Sequence, residues 1–130
     1  MVGETAGVIP QPTRFDTGLV MGDEGIRFEN TVALCLLKHV YHQVDCLGKP
    51  YSLNYFRTKD KAEVDFCLIN NDKPELMIEA KRLDATPGKS ILGFHKKYNI
   101  PGIQIVLHLK HERVEKDIEI RRGFDYLRSL

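Results

Sequence analysis

Two stretches of this chain put charge where a β-sheet resists it. Glu63-Val64-Asp65-Phe66 runs on into Cys-Leu-Ile, and beyond a polar turn Leu76-Met77 runs into Ile78-Glu79-Ala80-Lys81. Burial disfavours an ionised carboxylate or ammonium unless a partner or a metal compensates. Two acids and a lysine in neighbouring apolar strands therefore need an offset, and a divalent cation is the natural candidate.

The rest of the chain supplies the frame around them. From Glu24 to about Val44, Phe28, Val32, Ala33, Cys35, Leu36, Leu37, Val40 and Val44 recur at helical spacing and predict a long helix. At about 100 degrees per residue, Glu29 falls inside that apolar arc, so its carboxylate is expected to face the sheet. Tyr51 to Arg57 alternates and is rich in aromatics, which predicts a strand. Glu63 to Ile69 is a second, and Asn70-Asn71-Asp72-Lys73-Pro74 is a turn before a third at Glu75 to Lys81. Pro87-Gly88 opens a second helix over Lys89 to Tyr98, and Gly102 to Leu109 is a nearly all-apolar strand, expected to be buried on both faces. Lys110 to Lys116 is expected as an exposed turn, Asp117 to Arg121 as a short edge strand, and Gly123 to Leu130 as a terminal helical turn.

The predicted fold class is α/β: a helix, a three-strand meander, a helix and a strand, giving a mixed sheet flanked by helices. With 130 residues and 42% hydrophobic content, the chain suits a single domain over 15–130 that buries roughly two-thirds of its unfolded surface. Residues 1–14, with Gly3, Gly7, Pro10 and Pro12, are expected as a flexible tail. A formal net charge of +1 leaves no global basic footprint, so contact with a polyanion must come from local clustering. Three cysteines, an odd count, favour a reducing setting. With no signal-like N-terminus and no run of about eighteen apolar residues, a soluble, cytoplasmic protein without membrane contact is expected.

Side chains two apart on a strand share a face, so Glu79 points with Lys81 and Asp65 with Glu63. If the hairpin pairs Asp65 beside Glu79, their oxygens converge within reach of one ion. Hard oxygen ligands beside a lysine suit Mg²⁺ or Mn²⁺, not zinc.

Asp65 followed by Glu79-Ala80-Lys81, with Glu29 on an upstream helix, resembles the PD-(D/E)xK nuclease superfamily in motif, spacing and order of elements. More narrowly, Gly25-Ile-Arg-Phe-Glu-Asn30, Tyr55-Phe-Arg-Thr-Lys59, Ala62-Glu-Val-Asp-Phe66 and Ile78-Glu-Ala-Lys81 are similar to the uncharacterised C-terminal domain of many prokaryotic AAA-type ATPases. The resemblance covers roughly residues 16–109. It implies a restriction-endonuclease-like core and a metal-dependent phosphodiesterase acting on DNA, with RNA as the other polynucleotide. In that scheme Asp65, Glu79 and the backbone carbonyl of Ala80 hold Mg²⁺ or Mn²⁺, and Glu29 completes the metal shell. Lys81 orients the attacking water and offsets charge in the transition state. Arg57 offers a contact to a backbone phosphate, and the N–H groups near Lys89 and Ser90 offer an anion contact. The superfamily also has catalytically silent members, so the alternative is a binding or regulatory module associated with an AAA-type ATPase.

Simpler readings compete with each feature. Asp65, Glu79 and Lys81 can form an internal salt bridge that fixes strand register, and Glu29 can act on the helix dipole. Cys35, His39 and His42 share a helix but lack a fourth ligand for zinc. Pro87-Gly88-Lys89-Ser90 ends like a P-loop, yet Leu83 stands where the first glycine belongs, which leaves helix initiation. Lys96-Lys97, Lys110 and Arg121-Arg122 are solvated charges unless they ring the mouth of the site.

Overall fold

A computed structural model describes residues 8–10, 24–57 and 63–130. Helix α1 (Glu24–Asp45) leads into strands β2 (Tyr51–Arg57), β3 (Glu63–Asn70) and β4 (Lys73–Leu83), which form an antiparallel meander. Helix α2 (Lys89–Tyr98) then crosses over to β5 (Gly102–His108), which lies parallel to β4. The hairpin β6 (Arg113–Glu115) and β7 (Ile118–Arg122) follows, with β7 parallel to β5, and helix α3 (Gly123–Arg128) comes last. With β1 (Val8–Pro10) at one edge, the open sheet runs β1-β2-β3-β4-β5-β7-β6. This is the α/β class, with the element order that the sequence predicts.

Two expectations needed revision at the sheet edges. Within the stretch expected as a tail, Val8–Pro10 pairs antiparallel with Asn54 to Phe56 of β2. The charged segment 110–116, expected as a turn, contains β6. Its closing residues Lys116 and Asp117 take φ of 52° and 68°, as Asn71 and Asp72 do between β3 and β4 at 55° and 64°. Two successive left-handed residues make the tight hairpin turn whose twist matches the flanking strands.

The helices cover the two faces of the sheet. Phe28, Val32, Leu36 and Val40 of α1 pack on Phe66, Leu68, Ile78, Ile103 and Ile105, together with Tyr126 and Leu127 of α3. Ile91 and Phe94 of α2 pack on Val64, Cys67, Ile69, Met77 and Ile118 on the other face. Each such side chain contributes about 1.5–3 kcal/mol on full burial.

Close packing leaves no room at the start of α3. A methyl group on Gly123 would lie 2.3 Å from Cζ of Phe28, whose ring packs edge-on against Phe124. Gly123→Ala is therefore expected to destabilise the domain by about 1–3 kcal/mol, read as a lowered denaturant midpoint. An unchanged midpoint would mean that Phe28 swings aside freely.

Candidate functional site

The site begins with an irregularity in β3. Asn54 pairs with Cys67 and Phe56 with Val64, so one β2 residue faces two on β3, Asp65 and Phe66. The consequence is visible in the packing: Val64 and Cys67, three apart, both join the α2-side core, whereas Phe66 joins the α1 side. This is a β-bulge, a device that re-aims a side chain and locally ends pairing. The strict alternation that paired the faces of Glu63 and Asp65 is broken at Asp65 itself.

The β3–β4 ladder runs from Asn70↔Lys73 to Phe66↔Ile78, and β4 then continues beside β5 as far as Leu83. In the fork so formed, Asp65 Oδ2 accepts a hydrogen bond of 2.9 Å from the backbone N–H of Ala80. A residue in a ladder aims its N–H and its C=O to the same side. The Ala80 carbonyl therefore faces the fork as well.

Glu79 and Lys81 follow strand alternation onto the α2 face. Glu79 is 9% exposed, and its Oε2 lies 3.3 Å from Lys81 Nζ. A β-carbon on Gly88, the residue that caps α2, would sit 3.6 Å from the same oxygen, so the start of α2 closes directly over this carboxylate. Glu79 Oε1 is buried and has no hydrogen-bond partner among the described residues. Glu29 approaches from α1, half-buried.

The electrostatics converge on Asp65. Burial raises its pKa from 3.8 to about 7, the nearby Glu29 and Glu79 carboxylates add to the rise, and the Ala80 N–H and Lys81 oppose it. Two other carboxylates and one lysine thus act on one partly buried acid, and a neutral or cation-bound Asp65 relieves the strain.

Among the described residues, no three His, Cys, Asp or Glu side chains are grouped to hold a metal ion by themselves. A divalent cation here would instead use Asp65, Glu79 and the Ala80 carbonyl, with water filling the remaining positions. That donor set is all hard oxygen and suits Mg²⁺ or Mn²⁺, and the orphaned Glu79 Oε1 is a position that such an ion would satisfy. Cys35, His39 and His42 form no such group. His39 packs edge-on against Tyr51, and burial lowers its pKa.

The flanking cations divide into near and far. Lys89, exposed, opens α2 beside Gly88. Arg57 ends β2, and its side chain lies outside the described residues. Lys96 and Lys97 sit in the last turn of α2, at the other end of that helix from Gly88. Arg121 is engaged by Glu112 and Glu119 and lies over the Tyr126 ring, which makes it part of the scaffold. Pro87-Gly88-Lys89-Ser90 initiates α2, with Gly88 as an extended N-cap.

One residue escaped the sequence reading. Gln104, fully buried on β5, lies opposite Glu79 in the parallel register, and its Nε2 donates to the Ala85 carbonyl at 3.0 Å and to that of Thr86 at 3.5 Å. The signal was a lone amide inside an otherwise apolar strand.

Fold and site together define a class: an open mixed α/β sheet with buried acids and a lysine at the fork of a meander. Within it, residues 24–123 match the family described as a domain of unknown function, DUF4143, and the chain belongs to that family. Neither comparison with curated proteins nor comparison with solved structures returned a match. No helix among the described residues is long and apolar enough to cross a membrane.

Proposed function

We propose that this domain is a nuclease-like phosphodiesterase of PD-(D/E)xK type that uses Mg²⁺ or Mn²⁺ and acts on DNA, with RNA as the alternative polynucleotide. The observation that carries this reading is the surplus of buried acceptors at the fork. Asp65 is pushed to about 7 by burial and two neighbouring carboxylates, and Glu79 keeps an oxygen that nothing among the described residues satisfies. Perturbed acids of this kind cluster at functional sites.

A bound Mg²⁺ or Mn²⁺ supplies Lewis acidity toward a phosphoryl oxygen and makes its water more acidic. Asp65, Glu79 and the Ala80 carbonyl would hold the ion. Lys81, 38% exposed and beside Glu79, would orient the attacking water and offset the charge that grows on the phosphorus oxygens. Glu29 strengthens the negative potential from α1. Lys89 and Arg57 meet the substrate backbone.

Titration calorimetry with Mn²⁺ tests this. Wild type is expected to bind one ion, and Asp65→Asn, which keeps the acceptor for Ala80 N–H but not the charge, is expected to bind at least tenfold more weakly. Equal binding by the two proteins would remove the ion from this position.

A second reading has an observation of its own. Lys81 pairs with Glu79, and Ala80 N–H with Asp65, so part of the charge is offset internally. Meanwhile α1 exposes Leu34, Tyr41 and Val44, followed by Leu47, at 40–57%. Those features support a silent binding or regulatory module beside an AAA-type ATPase. Absence of cleavage with Mn²⁺, together with a stable complex with such an ATPase, would favour it.

A further inference from the structure

We propose that Gln104, outside the acid and lysine set, completes the cation site: its Nε2 fixes the loop beside the site, and its Oε1 accepts a hydrogen bond from a water carried by the ion. The inference rests on the metal-dependent reading above.

Gln104 has no exposed surface, and its neighbours on β5 are Ile103 and Ile105. A buried amide is costly unless both of its ends are bonded. Only one end is. Its Nε2 donates to the carbonyls of Ala85 and Thr86, in the loop that leads to Gly88 and α2. Reversing the amide would set oxygen against those two oxygens, so its orientation is fixed. Oε1 is then left buried and without a partner among the described residues.

The neighbouring strand repeats the pattern. Glu79, opposite Gln104 in the β4–β5 register, carries another orphaned oxygen. Both oxygens only accept, so neither can satisfy the other. Lys81 serves Glu79 Oε2 and leaves Oε1 open. A hydrated divalent cation would meet both wants, with Glu79 as its ligand and Gln104 Oε1 as an acceptor for one of its waters. Mg²⁺ in particular keeps several of its waters when bound. Partners of such outer ligands commonly change metal affinity by about 10–100-fold.

Two substitutions of matched size separate this role from simple support of the loop. Gln104→Met loses donor and acceptor, whereas Gln104→Glu loses the donor but keeps an acceptor oxygen. Mn²⁺ affinity is measured by calorimetry on wild type and on each variant, with circular dichroism to confirm folding. Gln104→Met is expected to bind about 10–100-fold more weakly, and Gln104→Glu at least as tightly as wild type. Equal weakening of both variants would show that Gln104 acts only through the loop, and an unchanged Gln104→Met would remove it from the site. Either result overturns the inference while leaving wild-type binding, and with it the metal reading, intact. Wild type without any Mn²⁺ binding would overturn both. Should Gln104→Met fail to fold, Gln104→Glu decides alone: wild-type affinity or better supports the assignment, and a tenfold loss overturns it.

Discussion

Lys81→Ala is expected to remove Mn²⁺-dependent cleavage of polynucleotide, a loss on the order of 10²–10³-fold or more, while the fold stays intact. The two halves of this expectation have separate causes. In the ground state Lys81 pairs with Glu79 at 3.3 Å and is 38% exposed. A pair that reaches solvent contributes only about 0–1 kcal/mol to stability, so the melting temperature should move by no more than a few degrees. In the transition state the same ammonium faces charge that develops on the phosphoryl oxygens, in a site where α2 excludes water on one side. There its effect is far larger than its effect on folding. Single-turnover cleavage of a labelled duplex, scored beside a thermal melt, checks both. Undiminished cleavage would reduce Lys81 to a counter-ion for Glu79, and an unfolded variant would make the pair structural.

The second large effect concerns pH. Asp65 titrates near 7 in the folded protein and at an ordinary 3.8 when unexposed to these neighbours, the rise coming first from burial and then from Glu29 and Glu79. Over the interval between those values the folded state holds a proton that the unfolded chain has released. The stabilising contribution is fully present below about pH 4 and is lost as pH rises through 7. Three units at about 1.4 kcal/mol each set an upper limit of about 4 kcal/mol for the metal-free protein. Asp65→Asn removes the titration, keeps an oxygen for Ala80 N–H, and ends the repulsion by Glu29 and Glu79. At pH 8, without divalent ions, this variant is expected to melt at least about 5 °C above wild type, and the gap should close towards pH 4. Saturating Mn²⁺ should narrow it from the other side by stabilising wild type alone. A wild-type stability that is flat between pH 5 and 8 would show that Asp65 is ionised at no cost and that its charge needs no cation to offset it. A stability cost carried by a functional residue is the familiar trade between folding and activity.

Much of the architecture could be read in advance because it follows from periodicity. The apolar spacing from Phe28 to Val40 marks α1, and the near-continuous apolar run after Gly102 marks β5 as covered on both faces. Pairing between distant segments has no such local signature. The edge strand β1 rests on contacts with β2, and β6 exists through its hairpin with β7; three residues in each are too few to announce a period. The same difference separates the members of the site. Glu79 and Lys81 could be assigned a shared face because alternation holds along β4. Asp65 could not, because a bulge set by the pairing of β2 with β3 falls on it. In the sequence Gln104 is one amide among hydrophobic residues, with no local pattern to mark it. Its weight comes from lying across the ladder from Glu79 and from an oxygen left without a donor.

The chain by itself determined which segments are helical and which extended, and that two acids and a lysine must be carried into strands otherwise built for burial. Both follow from the intrinsic geometry of backbone and side chain, which any local stretch expresses. Tertiary structure alone decided that the meander opens at Asp65, that α2 closes over Glu79, and that β5 brings an amide beside it. Those relations depend on register between segments far apart in sequence, and register is fixed only when whole faces are buried together.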